Sequence, residues 1–211
     1  VTQVTIPAGQ SSVDFDIATI QDTIAEGSED FTITIGNIAG GGFEALAVDS
    51  SNKSVTTTIT DNEATPTLTV GDAGTVDEGN DATFDVTLSN PVQGNVSYTL
   101  TLTGSGNNPA TIADDIDGVT LVDSQGNPIT GATLTPNQDG TYTATVPGNV
   151  TAFSVLVSTT DDTLFEDNEG FTLAVTTTVV GQQLSDNGTA TITDGEATPT
   201  LTVGDAGTVD E

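Results

Sequence analysis

The chain has no cysteine, histidine, tryptophan or methionine, and one basic side chain, Lys53, stands against 31 Asp and Glu residues. Each absence removes a class of chemistry. Without cysteine there is no disulfide and no thiolate nucleophile; without histidine as well, no imidazole base and no ordinary zinc site. A formal net charge of −30 repels a phosphate backbone, which excludes nucleic acid and anionic membrane as partners. No apolar run approaches the roughly 20 residues a helix needs to cross a bilayer, so no membrane insertion by this segment is expected. No signal peptide is visible, and the sequence reads as an internal excerpt of a longer chain. Missing cysteines fit a reducing compartment, or an extracellular repeat that metal stabilises in place of disulfides. The acidity favours the second, which places the chain outside a bacterial cell, secreted or at the cell surface.

What is present is threonine, valine, glycine, aspartate and asparagine, a mixture that favours strands joined by polar turns. Hydrophobic residues make up 34% of the chain, below the soluble average yet enough for slim sandwich cores. So acidic a chain would be disordered if its apolar residues were scattered, but they alternate. Phe84, Val86 and Leu88 form one row, Tyr98, Leu100 and Leu102 a second, Phe153, Val155 and Val157 a third, and Phe171, Leu173 and Val175 a fourth. Val13, Phe15, Ile17 and then Phe31, Ile33, Ile35 repeat the pattern near the start. Period-two alternation means one face buried and one wet, as in an antiparallel sheet. Turns are expected at Asn90-Pro91, Gly126-Asn127-Pro128, Asp139-Gly140 and Asn187-Gly188. The expected fold is all-β: immunoglobulin-like antiparallel β-sandwich repeats in tandem, with about seven strands in each.

The tandem arrangement is written in the sequence itself. Glu63 to Glu78 reads EATPTLTVGDAGTVDE, and Glu196 to Glu211 reads the same, 133 positions later. The stretch from Thr5 aligns with that from Thr145 at an offset of 140, and a longer loop around Gly40 to Ser54 restores the offset to 133 by Ile59 and Ile192. Such self-similarity marks a repeat array. Residues 1–63 are read as the C-terminal part of one repeat, 64–196 as a complete repeat, and 197–211 as the start of the next. Neighbouring repeats of the same chain are expected partners. The split half-repeats at 1–63 and 197–211 are also expected to pair end to end between molecules, since a bare strand edge invites another strand.

The acids are not spread evenly. They gather where strands should end: Asp77-Glu78, Asp114-Asp115-Ile116-Asp117, Asp161-Asp162 and Glu166-Asp167-Asn168-Glu169. Asp61 and Glu63, with Asp194 and Glu196, flank the linkers. The spacing Asp22-x-x-x-Glu26-x-x-Glu29 recurs as Asp162-x-x-x-Glu166-x-x-Glu169, a regularity that merely solubilising charge does not need. Two carboxylates about 4 Å apart repel by roughly 1 kcal/mol in water and by more near a protein surface. With one cation in the chain, the relief must come from outside. Ca2+ accepts about 6–8 oxygen ligands in flexible geometry, whereas magnesium keeps more of its water. Candidate calcium ligands in the complete repeat are Asp77, Glu78, Asp115, Asp117, Asp161 and Asp162, followed by Glu166, Glu169, Asp194 and Glu196. In the partial copy they are Asp22, Glu26, Glu29, Asp61 and Glu63. If Asp194 and Glu196 share an ion with a neighbouring-domain loop, the joint at Glu196-Ala197-Thr198-Pro199 becomes rigid.

The run Val76-Asp77-Glu78-Gly79, taken with Asp162-Thr163-Leu164-Phe165-Glu166-Asp167-Asn168-Glu169-Gly170-Phe171, resembles Calx-beta modules. Their signature is an Asp, a Glu-Gly pair, a further Glu and then Phe. Asp22 to Phe31 fits it more closely, because Gly27 follows Glu26 where the complete copy has Asp167. In tandem, acidic and cysteine-free form the chain also resembles the extender repeats of large RTX adhesins, secreted by the type I route and active in biofilms. That resemblance implies calcium-dependent folding and rigidity, a role in holding an adhesive tip away from the cell, and Glu78, Asp162, Glu166 and Glu169 as the first calcium ligands to consider.

Other functions fit less well. A glycosidase needs two positioned carboxyls, one of them in an apolar pocket, and these acids sit in polar loops, so no enzyme is expected. A calcium-dependent carbohydrate- or protein-binding module is the alternative, with Tyr98 and Tyr142 as its only polar aromatic contacts. A calcium sensor is a third reading, to which long identical repeats are poorly suited.

Overall fold

A computed structural model of the chain describes residues 3–208 and residue 210. It divides into two compact units, Val1–Thr65 and Pro66–Glu211. Among the described residues no helix is long and apolar enough to cross a membrane.

The first unit contains an antiparallel pair, β1 (Glu29–Thr34) and β2 (Ser54–Ile59), in register from Glu29 opposite Ile59 to Thr34 opposite Ser54. Cross-strand hydroxyls meet on one face, with Thr32 Oγ1 and Thr56 Oγ1 2.8 Å apart. The strand expected at Val13, Phe15 and Ile17 is not formed: that run lies in no strand and its apolar side chains are 37–44% exposed. The physical reason lies in the second unit, where the aligned run Phe153, Val155, Val157 becomes a strand by pairing on both edges. Among the described residues no strand pairs with that run in the first unit, whose sheet is the β1-β2 pair.

The second unit is a two-layer sandwich. Its strands are β3 (Leu68–Val70), β4 (Gly74–Asp77), β5 (Asp81–Leu88), β6 (Asn95–Ser105), β7 (Ile116–Val122) and β8 (Thr133–Pro136). They continue with β9 (Tyr142–Pro147), β10 (Ala152–Thr159), β11 (Glu169–Val179) and β12 (Gln182–Thr193), while one helical turn, α1 (Ile112–Asp115), precedes β7. One sheet runs β3-β5-β10-β7 and the other β4-β12-β11-β6-β9-β8. That is ten strands where about seven were expected, partly because β3 and β4 are one extended run that changes sheets between Val70 and Gly74. The change of sheet fixes direction as well: β3 lies antiparallel to β5, so β4, running the same way, lies parallel to β12.

All four alternating rows of the complete repeat are buried, from Phe84, Val86 and Leu88 on β5 to Phe171, Leu173 and Val175 on β11. Two edge-to-face ring pairs bridge the layers, Phe84 with Phe171 at 5.7 Å and Tyr98 with Phe153 at 5.2 Å. Fully burying such side chains contributes roughly 1.5–3 kcal/mol each, enough for a thin core to hold two sheets.

Asn187-Gly188 is not a turn but lies within β12. Gly188 is there because a Cβ would stand 2.9 Å from Phe84 Cδ1 and closer still to the carbonyl oxygen of Gly71. The hairpin turn is Val180-Gly181, with φ of +49° and +73°, the left-handed pair that a two-residue hairpin requires. The recurrent segment is treated differently in its two occurrences: Leu68 and Val70 are each 8% exposed, Leu201 and Val203 are 94% and 92%. Of residues 197–211, for which end-to-end pairing is expected, Val209 and Glu211 lie outside the described residues.

Candidate metal centre

Strand pairing gathers the acids at one end of the sandwich. Ile192 sits opposite both Glu169 and Val76, so the ends of β12 and β4 and the start of β11 coincide. Thr159 pairs with Ile116, which brings the end of β10 and the turn α1 to the same end. The resulting cleft is lined by Glu78, Asp114, Asp115, Thr160, Asp162, Glu166, Asp167, Glu169, Ile192 and Asp194.

Two carboxylate triads stand out. Glu78, Asp194 and Glu196 place one oxygen each within 4.8 Å of one another, and so do Asp115, Glu166 and Glu169. All six are half-buried. Other expected ligands of the complete repeat belong to neither triad. Asp77 accepts the Thr193 hydroxyl at 2.6 Å, Asp117 faces the Thr160 hydroxyl at 3.4 Å, and Asp161 packs beside Gly79. Asp162 borders the cleft, its Oδ1 taken by the backbone N–H of Leu164 at 2.6 Å. Asp114 and Asp167 also border it but were not among the expected ligands; the acid runs containing them were the available signal. The third carboxylate facing Asp194 and Glu196 is Glu78 of the same repeat.

Backbone donors aim the triads. Asp194 Oδ2 accepts the N–H of Glu166 at 2.7 Å and Oδ1 that of Glu196 at 2.8 Å. Glu78 Oε1 accepts the N–H of Gly195 at 3.3 Å, and Asp115 Oδ2 that of Thr111 at 2.5 Å. Crowding shows in proton affinity. Burial, then a hydrogen bond with Asp115 and the charges of Asp115 and Glu166, push the Glu169 carboxyl up to about 7. Glu196 is also pushed up to about 7, first by its hydrogen bond with Asp194, then by Glu78 and by burial. Glu166 is raised by burial and by the charges of Asp115, Asp162, Glu78 and Asp194. Asp194 is held low, above all by the N–H of Glu196. Groups that hold protons because like charges surround them hold a cation for the same reason.

The donor set is entirely oxygen, which suits calcium. One atom tests the fit: Glu196 Oε2 is buried, and with the surrounding carboxyls ionised no N–H or O–H donor reaches it. A buried carboxylate oxygen without a donor is costly, and a cation held with Glu78 and Asp194 would satisfy it.

The first unit repeats the second-half frame. Asp61 Oδ2 accepts the N–H groups of Glu26 and Gly27 at 2.9 and 3.1 Å, and Oδ1 that of Glu63 at 3.2 Å. Asp22 Oδ1 accepts the N–H of Ile24 at 2.8 Å, as Asp162 does that of Leu164. The Asp61 carboxyl is held far below the usual range by its hydrogen bond with Glu63 and by these backbone donors, and Glu63 is raised in turn by Asp61. Glu29 is exposed at the start of β1.

The profile of the Calx-beta domain matches residues 1–63 and 145–198. No curated protein matches the chain. Among solved structures, the apo form of the Calx CBD1 domain is similar at 15% identity and a TM-score of 0.38, covering 61% of this chain and 97% of that one. The self-complemented fimbrial subunit MyfA of Yersinia enterocolitica, in complex with galactose, is similar at 15% identity and a TM-score of 0.29, over 61% of this chain and 98% of that one.

Proposed function

From the premise that the chain belongs to the Calx-beta family, a family of calcium-binding β-sandwich domains, we propose that it is a calcium-stabilised structural segment of a bacterial cell-surface adhesin. The observation that carries the calcium part is the buried Oε2 of Glu196, which no donor reaches when the carboxyls around it are ionised, beside Glu78 and Asp194. Glu78, Asp194 and Glu196 would hold one ion, and Asp115, Glu166 and Glu169 another. Bound calcium supplies the positive charge that this pole lacks. The chain's own part is orientation: the N–H groups of Glu166, Glu196 and Gly195 aim the Asp194 and Glu78 carboxylates inward.

The extender role is supported by the exact recurrence of EATPTLTVGDAGTVDE and by a charge of −30 that keeps such chains apart in solution. Because Glu196 opens the segment Glu196-Ala197-Thr198-Pro199, calcium at its carboxylate would fix the path by which the chain leaves the repeat. Proline at the end of that segment restricts it further. Stiffened repeats in series would project an adhesive region for surface attachment and biofilm formation.

The test is a calcium titration of the full chain, followed by melting temperature and solution scattering. A hundredfold excess over Kd at one site adds about 2.7 kcal/mol, or roughly 5–10 °C for a domain of this size. Melting and scattering curves unchanged between calcium and chelator would overturn the reading.

A further inference from the structure

The loop that carries Glu166 and Glu169 is held from outside by a segment with no acid of its own. Between β6 and α1 the chain runs Gly106-Asn107-Asn108-Pro109-Ala110-Thr111 and lies against the start of β11. The N–H of Gly170 donates to the Asn108 carbonyl oxygen at 2.9 Å, and the N–H of Ala110 donates to the Gly170 carbonyl oxygen at 2.9 Å. Pro109 thus forms a short parallel bridge with Gly170. Gly104 makes room for it, since a Cβ there would stand 3.0 Å from Pro109 Cβ and closer still to the Ala110 carbonyl oxygen. Proline fixes its own backbone and keeps the residue before it extended, so Asn108 is presented on a stiff support.

The Asn108 side chain reaches the acid loop itself. Its Nδ2 donates to the carbonyl oxygens of Asp167 at 3.0 Å and Asn168 at 3.2 Å. Those two residues are the ones between Glu166 and Glu169. Further along the same segment stands the third member of that triad, Asp115. The Thr111 N–H donates to Asp115 Oδ2, while the Thr111 carbonyl oxygen accepts the N–H groups of Asp114 at 2.8 Å and Asp115 at 2.9 Å. One bracket, 108–115, therefore grips the loop of Glu166 and Glu169 at one end and supplies Asp115 at the other.

We infer that Asn108 is a positioning residue for the Asp115, Glu166 and Glu169 group: its amide pins the peptides between the two glutamates and sets their place relative to Asp115 before an ion arrives. A carboxamide suits the position because its N–H groups meet carbonyl oxygens without adding to the negative charge of the pole. Ordering the loop during folding removes that cost from ion binding. The Asn108 amide reaches neither Glu78, Asp194 nor Glu196, so its effect is confined to one of the two carboxylate groups. The inference rests on the calcium reading of this pole.

The test is a calcium titration of the full isotopically labelled chain, with the side-chain carboxyl carbons of Glu169 and Glu196 followed separately by NMR. In Asn108→Ala, Glu169 is expected to need roughly ten- to a hundredfold more calcium, as when an outer-shell partner of a metal ligand is lost. Glu196 is expected to respond at the parental concentration. Asn108 is exposed, so water replaces its amide and the melting temperature in chelator should stay at the parental value. The neighbouring Asn107→Ala is the control, expected to leave both resonances as they are. An unchanged Glu169 response in Asn108→Ala would overturn the assignment, as would equal weakening of Glu169 and Glu196 or an equal effect of Asn107→Ala. A Glu169 resonance that ignores calcium in the unaltered chain would overturn the calcium reading of this group and the assignment with it, so the two failures are separable.

Discussion

Asp194 accepts the backbone N–H of Glu166 at 2.7 Å, while the Glu166 carboxylate belongs to the triad with Asp115 and Glu169. One peptide therefore joins the two carboxylate groups: Asp194 is a member of the first and positions a member of the second. Asp194→Asn removes a charge from one group and weakens the anchor of the other. Calcium affinity is expected to fall by about ten- to a hundredfold at the second group as well as the first, the range seen when an outer-shell partner of a metal ligand is lost. Calorimetry showing only one class of ion weakened would contradict this link.

Proton and calcium should compete. Glu169 and Glu196 have folded-state carboxyls near 7 against an ordinary value of 4.5, so the folded chain binds protons more tightly than the unfolded one. Without calcium, that contribution to stability is complete below about pH 4.5 and is lost as pH rises through 7. In chelator the chain should melt higher at pH 5.5 than at pH 8. Calcium requires the ionised carboxylates, so the calcium-induced rise should be larger at pH 8. Melting curves at the two pH values, with and without calcium, check both signs.

Glu196→Gln removes the charge while keeping the shape. Its melting temperature in chelator should be at or above that of the parent chain, and its rise on adding calcium should be smaller. A variant with an undiminished calcium response would show that the donor-free oxygen of Glu196 has no part in binding.

Val180 is the only non-glycine at positive φ among the described residues, at +49°. A left-handed conformation costs an L-residue roughly 1–2 kcal/mol, and β-branching makes it worse. Val180→Asn should stabilise by about 0.5–1 kcal/mol, because asparagine suits this turn. Chemical denaturation with an unchanged slope is the measurement; a lower midpoint would contradict the turn geometry.

Gly188→Ala separates two readings of Asn187-Gly188. In a surface turn the methyl group would cost little. Within β12 it meets Phe84 and the Gly71 carbonyl oxygen, and overpacking of this kind costs about 1–3 kcal/mol. Denaturation midpoints of the two chains decide between them.

The sandwich was legible in the sequence wherever a local pattern determined it. Phe84-Val86-Leu88 and Phe171-Leu173-Val175 alternate, and alternation alone tells which face is buried. It failed where a tertiary neighbour decides. Val13-Phe15-Ile17 carries the same alternation as Phe153-Val155-Val157, yet a strand needs edges to pair with, which no period reveals. Asn187-Gly188 carries a turn signature, but its glycine serves the close approach of another strand. At the acid pole the runs were visible and their convergence was not: Glu78 meets Asp194 only because β4 lies parallel to β12. The same convergence singles out six half-buried carboxylates from a longer list, a distinction of depth that loop position cannot give.

The parallel contact of β4 with β12 also has a mechanical meaning. These are nearly the first and last strands of the repeat, side by side and pointing the same way. A pull on the chain before Pro66 and after Thr193 drags them past each other lengthwise, so the bonds between them are loaded in shear and resist together. Had the last strand run the opposite way, the same pull would peel the bonds apart one at a time. A segment strung in series under flow would thus meet tension along its stiffest direction.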